Sequence, residues 1–156
     1  MGTARAEKGS GNMRVTGTGR IRQVPIRFQV ANNEDLIRAK FGRIAPDQVR
    51  RMVIKGAVDP RICHLALPES VVKRLGLQRV GKVKVLKSGR TLKRDRVQGV
   101  HLEILGREGT CSASVDPTRR AALVGFLVLE DLDLLVDSTN HRLIPRDPRI
   151  RTYDIE

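Results

Sequence analysis

The chain has no tryptophan, one tyrosine and three phenylalanines among its 156 residues. Val, Ile and Leu must therefore fill the interior, and β-branched side chains favour sheets. No apolar run approaches the roughly 20 residues that span a bilayer, so an integral membrane protein is not expected. The opening stretch "MGTARAEKGSGNMRV" lacks an apolar signal core, which points away from secretion and toward the cytoplasm. Two cysteines, Cys63 and Cys111, make no disulfide framework. Zinc calls for four ligands in paired spacings; Cys63, His64, His101, Cys111 and His141 form no such pairs, and no metal or other cofactor is expected. Cys63 and His64 are neighbours in a stretch read as strand, so they face opposite ways and make a poor dyad; a small buried Cys and a surface His are expected instead. The G-x-x-x-x-G-K-[ST] phosphate loop and the G-x-S-x-G elbow are both missing, which sets aside nucleotide hydrolysis and that serine chemistry.

Basic charge is what the chain has in excess. The net charge is +13, a balance that attracts polyanions. Residues 1–22 carry Arg5, Lys8, Arg14, Arg20 and Arg22 against Glu7, and the rest of the excess is spread without a dense block. The scarcity of aromatics removes the stacking platforms of single-strand binders. Residues 1–20, rich in Gly, Thr, Ser and basic residues, read as a disordered arm giving non-specific polyanion contact. The remainder, 21–156, reads as a single domain.

In that domain the apolar residues recur with period two. "VPIRFQV" (24–30) places Val24, Ile26, Phe28 and Val30 on one face. A short helix at 34–40 is broken by Gly42 and Pro46, and "RMVIKGAVD" (51–59) is a second strand. "CHLALP" resumes the sheet, and "PESVVKRLGL" (68–77) carries helix signals: Pro68 and Glu69 in the first turn, Lys73 and Arg74 in the last, Gly76 after it. "KVKVL" and "TLKRDRV" form a hairpin about Gly89, and "GVHLEILG" and "TCSASVD" another through "REG". "ALVGFLVLEDLDLLVD" starts as strand, turns at Gly125, passes through a helical patch near Val128–Asp131 and returns to strand; a last hairpin turns at Thr139-Asn140. The expectation is an all-β domain, a closed barrel or sandwich with one or two short helices.

The candidate chemistry lies in the acids. Asp-Pro occurs at 59–60, 116–117 and 147–148, and Asp before Pro is ordinary turn chemistry. Asp59 differs in ending an apolar strand and in the residues on its C-terminal side. "AVDPRICHLALPESVVKRLGL" resembles the retropepsin-like aspartic protease family in its single-domain prokaryotic form: hydrophobic strand, Asp-Thr/Ser-Gly-Ala, a Leu-Pro helix and a Leu-Gly-Leu exit. "ALVG" at 122–125 resembles the family's loop beside the active-site strand (Leu123, Val124, Gly125), and "VLEDLDLLVDSTNHRLIPRDP" its closing helix and hairpin. The resemblance spans roughly residues 22–156.

It implies a closed retropepsin-type barrel and a homodimer with one catalytic Asp59 per protomer, the two carboxylates sharing a proton and activating water to hydrolyse a polypeptide. It also implies a flap, matched here by "VLKSGRTL" with Leu86, Ser88 and Gly89, though without an aromatic to close over substrate. The C-terminal "RIRTYDIE" alternates apolar residues suited to an intersubunit sheet. The motif itself departs from the family. Pro60 stands at the Thr/Ser position and has neither hydroxyl nor N–H. Arg61 stands at the Gly position and brings a cation beside the carboxylate, with Ile62 next to it in the chain. Three readings stay open: an aspartic endopeptidase, a catalytically silent peptide-binding dimer of the same fold, and a basic β-barrel that binds RNA.

Overall fold

Strands form where the period-two pattern places them, and the way they are ordered positions the acid. A computed structural model describes residues 15–16 and 23–155. Apart from Val15–Thr16, the expected basic arm lies outside the described residues. The elements are β1 (Val15–Thr16), β2 (Val24–Asn32), α1 (Asn33–Lys40), β3 (Arg51–Val58), β4 (Leu65–Pro68), α2 (Glu69–Leu75) and β5 (Arg79–Lys87). They continue with β6 (Arg90–Ile104), β7 (Arg107–Asp116), β8 (Ala122–Val124), α3 (Phe126–Leu132), β9 (Leu134–Asp137) and β10 (Arg142–Pro145).

The main sheet runs β2-β3-β8-β4-β7-β6-β5, and β6 also pairs with β2, so six strands close into a barrel with β5 attached outside the ring. A closed ring leaves no edge along its circumference. The expected closed β-barrel is therefore present, with three short α-helices among the described residues rather than one or two. Residues 34–40 form a helix because the Asn32 side chain caps it, accepting from the Asp35 N–H at 3.1 Å. The pairing is mixed: β3–β8 and β4–β7 are parallel, the remaining ring contacts antiparallel. Aliphatic residues fill the interior, among them Val30, Val58, Leu65, Leu67, Val97, Leu102 and Val124, each at most 1% exposed. Burial of each contributes about 1.5–3 kcal/mol, which lets the fold manage with two buried phenylalanines, Phe28 and Phe126.

Two strand boundaries differ from the sequence reading. β6 is one 15-residue strand and not two; a register shift between Val97 and Val100, with Gly99 at φ 72°, absorbs the break as a bulge. The next hairpin turns at Leu105-Gly106, both at positive φ, while Arg107–Gly109 ("REG") belongs to β7. A two-residue loop of type I′ needs φ > 0 at both central positions, and Gly106 supplies one of them without strain. The register Ile104↔Arg107 keeps Leu102 and Ile104 in the core. The hairpin expected at Gly89 forms as read, with Ser88 and Gly89 both at positive φ.

The C-terminal stretch 151–155 adopts no strand in the single chain. It is tied to the body by the Thr152 N–H donating to Asp133 Oδ2 (2.8 Å) and the Tyr153 hydroxyl donating to the Asp131 carbonyl (2.8 Å), with Ile155 91% exposed. Among the described residues no helix is long and apolar enough to cross a membrane.

Candidate functional site

β3 and β4 are consecutive in the chain but are not neighbours in the sheet, because β8 is inserted between them. The 59–64 connection must therefore pass over the end of β8. It is held there by backbone bonds: Asp59 N–H to the Val124 carbonyl (3.0 Å), Phe126 N–H to the Ile62 carbonyl (2.8 Å) and Leu127 N–H to the Cys63 carbonyl (3.1 Å). The two chain segments cross at Gly125, where the Cys63–His64 peptide occupies the space a side chain would need.

Asp59 emerges from β3 into this connection and is 4% exposed. Its carbonyl accepts from the Ile62 N–H at 3.2 Å, closing a turn with Pro60 at its second position. Its carboxylate accepts four hydrogen bonds. Oδ1 receives the Arg61 backbone N–H (3.0 Å) and Arg61 Nε (2.9 Å); Oδ2 receives Arg61 Nη2 (3.0 Å) and Gln23 Nε2 (3.3 Å). An ionised carboxylate offers about four lone-pair positions, so this one is saturated from within its own chain. Gln23 precedes β2, whose Val24 pairs with Val58, and the register carries it opposite Asp59. No local sequence signal marks it.

Arg61 chelates Asp59 because of a turn that the chain uses elsewhere. In Asp147-Pro148-Arg149 the Arg149 N–H donates to Asp147 Oδ1 (2.8 Å) and Nε approaches the same oxygen at 3.4 Å. In Asp116-Pro117-Thr118 the Thr118 N–H and hydroxyl donate to Asp116 Oδ1 at 2.9 and 2.6 Å. Asp35 is held, beside the start of β3, by the N–H, Nε and Nη2 of Arg50 at 3.0, 2.8 and 3.0 Å. The same three Arg groups hold Asp59 and Asp35. Both are anchors for an arginine.

Burial is the largest single influence on the Asp59 pKa and pushes it up. The Arg61 side chain, the Arg61 N–H, Gln23 and the Arg61 charge push it down, and together they prevail, holding the carboxyl below its ordinary range. A folded-state pKa below the unfolded value contributes stability that is present above about pH 4 and is lost as pH falls through the folded pKa. Arg61→Ala removes the side-chain hydrogen bonds and the charge that oppose burial, so the Asp59 pKa should rise. At neutral pH the variant should be less stable by about 1–2 kcal/mol, a figure reduced because Arg61 is half-exposed. The deficit should shrink on acidification, as protonation relieves the buried charge. Carboxyl NMR titration and urea denaturation at neutral and acid pH check both parts; a deficit independent of pH would disprove the electrostatic account.

A cleft of 510 Å³ lies between this connection and the β5–β6 hairpin. Arg61, Ile62, Leu123 and Leu86 line it, together with Cys63 and His64. Asp59 and Pro60 are buried and do not contribute to its wall; Val124 and Gly125 are buried behind the connection; Ser88 and Gly89 form the exposed hairpin tip outside it. The group presented to the cleft is thus the Arg61 guanidinium, its side chain 55% exposed, and not the carboxylate. Lys84, Lys87, Arg94 and Arg119 also reach the cleft. Lys84, Lys87 and Arg94 belong to the basic run 82–96 of the β5–β6 hairpin, a local signal that sequence reasoning passed over, whereas nothing local marks Arg119 as their neighbour. Cys63 and His64 lie in the connection, outside any strand, and Cys63 is exposed, contrary to the expected buried thiol, because the crossing at Gly125 holds this segment at the surface. Cys111 is the sheltered cysteine, its thiol pushed up to about 12 by burial and by the charge of Asp131.

No family model and no curated protein matches the sequence. Among solved structures the chain is similar to the EIAV protease complexed with the inhibitor HBY-793, at 13% identity and a TM-score of 0.49, over 75% of this chain and 94% of that one.

Proposed function

We propose that this chain is a retropepsin-like aspartic protease homologue in which Asp59 no longer hydrolyses peptides and the cleft binds an extended polypeptide. The family reading is supported by the run "AVDPRICHLALPESVVKRLGL" ending a β strand in an aspartate, and by "ALVG" crossing behind it at Gly125. The loss of hydrolysis rests on one observation: the Asp59 carboxylate is saturated by Arg61 and Gln23. A general base must reach the proton it removes, and a carboxylate with no free lone pair has nowhere to hold an attacking water. The Arg61 charge also favours the ionised form, which opposes the single shared proton of an aspartate dyad.

The working unit is a homodimer in this proposal, the 59–64 connections of two copies facing each other across a two-fold axis. Residues 1–20 serve as a basic arm with non-specific affinity for polyanions. Cys63 and Cys111 are free thiols, which suits a reducing cytoplasm.

A second reading is favoured by the exposure of Arg61: a guanidinium 55% open to solvent can leave Asp59 in a dimer and restore hydrolysis. Activity decides between them. The unmodified chain should cleave denatured casein no faster than its Asp59→Asn variant between about pH 3 and pH 7, the range in which a dyad would carry one proton. It should nevertheless bind fluorescein-labelled casein peptides in an anisotropy titration. Cleavage that disappears in Asp59→Asn would establish the endopeptidase and reject the silent reading.

A further inference from the structure

The charge of the cleft says what kind of polypeptide it takes. Arg61, Lys84, Lys87, Arg94 and Arg119 line it, against Asp116 as the acid in its wall. Asp59 is already matched by Arg61, and Asp116 lies 4.0 Å from Lys87. Arg94 also acts electrostatically on Asp116, so one acid faces two cations, and Lys84 and Arg119 have no acid within ion-pair distance among the described residues. Arg119 Nε donates to the Ala121 carbonyl at 3.1 Å, which fixes its direction. Arg94 Nε is buried without a hydrogen-bond partner among the described residues, so this wall is short of acceptors. On Arg61, Nε and Nη2 face Asp59, while Nη1 has no acceptor among the described residues.

The cleft is not uniformly polar. Ile62, Leu86 and Leu123 lie between the cations. β5 ends the sheet order and pairs with β6 alone among the described residues, so its outer edge offers backbone N–H and C=O groups to a further strand. A strand added at such an edge presents alternate side chains to opposite sides. Nucleic acid fits less well, since no Phe, Tyr or Trp lines the cleft and His64 is the one ring in its wall that could stack a base.

Resting on the polypeptide-binding reading above, we propose that this cleft selects an extended segment in which acidic side chains alternate with apolar ones, a ligand carboxylate docking on Arg61. The guanidinium is suited to that role: it is planar, permanently charged and oriented by its bonds to Asp59. Asp59 is then a positioning residue for Arg61.

The test uses the full chain and fluorescent peptides of alternating Glu and Leu, with Gln/Leu and Lys/Leu counterparts, and an oligouridylate of matched charge. At low salt the Glu/Leu peptide should bind at least about tenfold more tightly than Gln/Leu, with Lys/Leu weakest. Lys84→Glu with Arg119→Glu should abolish that preference, bringing Glu/Leu affinity to or below that for Gln/Leu measured on the same variant, with the basic arm intact in both proteins. Lys84→Glu alone, at an exposed strand position, should give part of the loss and keeps the test valid if the double variant does not fold. Equal affinity for Glu/Leu and Gln/Leu would overturn the acidic preference and leave polypeptide binding standing. Binding of none of the peptides would overturn both. Tighter binding of the oligouridylate, lost in the same variants, would assign the cleft to nucleic acid and reject the inference.

Discussion

Pro60→Thr combined with Arg61→Gly should cleave acid-denatured casein at least about 100-fold faster than the unmodified chain, the lower end of what a positioned acid–base pair supplies. The two changes act differently. Arg61→Gly withdraws two of the four hydrogen bonds on Asp59, those from Nε and Nη2, and removes the cation that favours full ionisation. It also removes the side chain that stands in the cleft in place of the carboxylate. Pro60→Thr restores a hydroxyl that can hydrogen-bond between the loops of two protomers. The gain should peak at acidic pH, where two facing aspartates hold one proton, and should vanish when Asp59→Asn is added. A folded dimer of the double variant without activity would count against descent from a protease. Sedimentation that finds only a 17.4 kDa monomer would count against any two-aspartate mechanism.

Gly125→Ala should cost about 3 kcal/mol or more in urea denaturation, at or beyond the upper end for overpacking. The added Cβ would sit 2.6 Å from the His64 nitrogen and closer still to the Cys63 carbonyl group. These are backbone atoms, so no rotamer change relieves the clash. The backbone angles at Gly125 (φ −90°, ψ 174°) are open to any residue, so the requirement for glycine here is space alone. The displaced segment carries the Ile62 and Cys63 carbonyls that accept from Phe126 and Leu127, so the variant should also loosen Arg61 and weaken peptide binding. A loss below about 1 kcal/mol, with binding intact, would show that the crossing tolerates a shift.

In the proposed reading, a turn motif and a former active site are the same residues at Asp59. Asp-Pro-Arg at 147–149 likewise folds its arginine back onto its aspartate. Replacing the residues after a strand-ending aspartate by Pro-Arg imports that local chelate into the site. The group that reaches the ligand is then a cation, and the surrounding lysines and arginines extend its sign across the cleft.

Much of the fold was legible in the residues alone. Val24, Phe28 and Val30 alternate inward, Gly76 ends α2 in the left-handed conformation, Gly89 turns a hairpin, and Gly125 marks the break before α3, because these features depend on local sterics and on which face meets the core. The bulge at Gly99 and the turn at Leu105-Gly106 were not legible, since they depend on the register of β6 against β7 over many residues. The pairing of Asp59 with Arg61 was half visible. The sequence placed a cation two residues from the acid. That both oxygens would be filled, with Gln23 as the last donor, depended on β2 lying beside β3. The cationic cleft was legible in part: Lys84, Lys87 and Arg94 share the β5–β6 hairpin that the sequence marks, while only the tertiary structure, with β8 inserted between β3 and β4, brings Arg61 and Arg119 to the same space. Charges converge by strand order, and strand order is set by long-range hydrogen bonding and burial that no local pattern records.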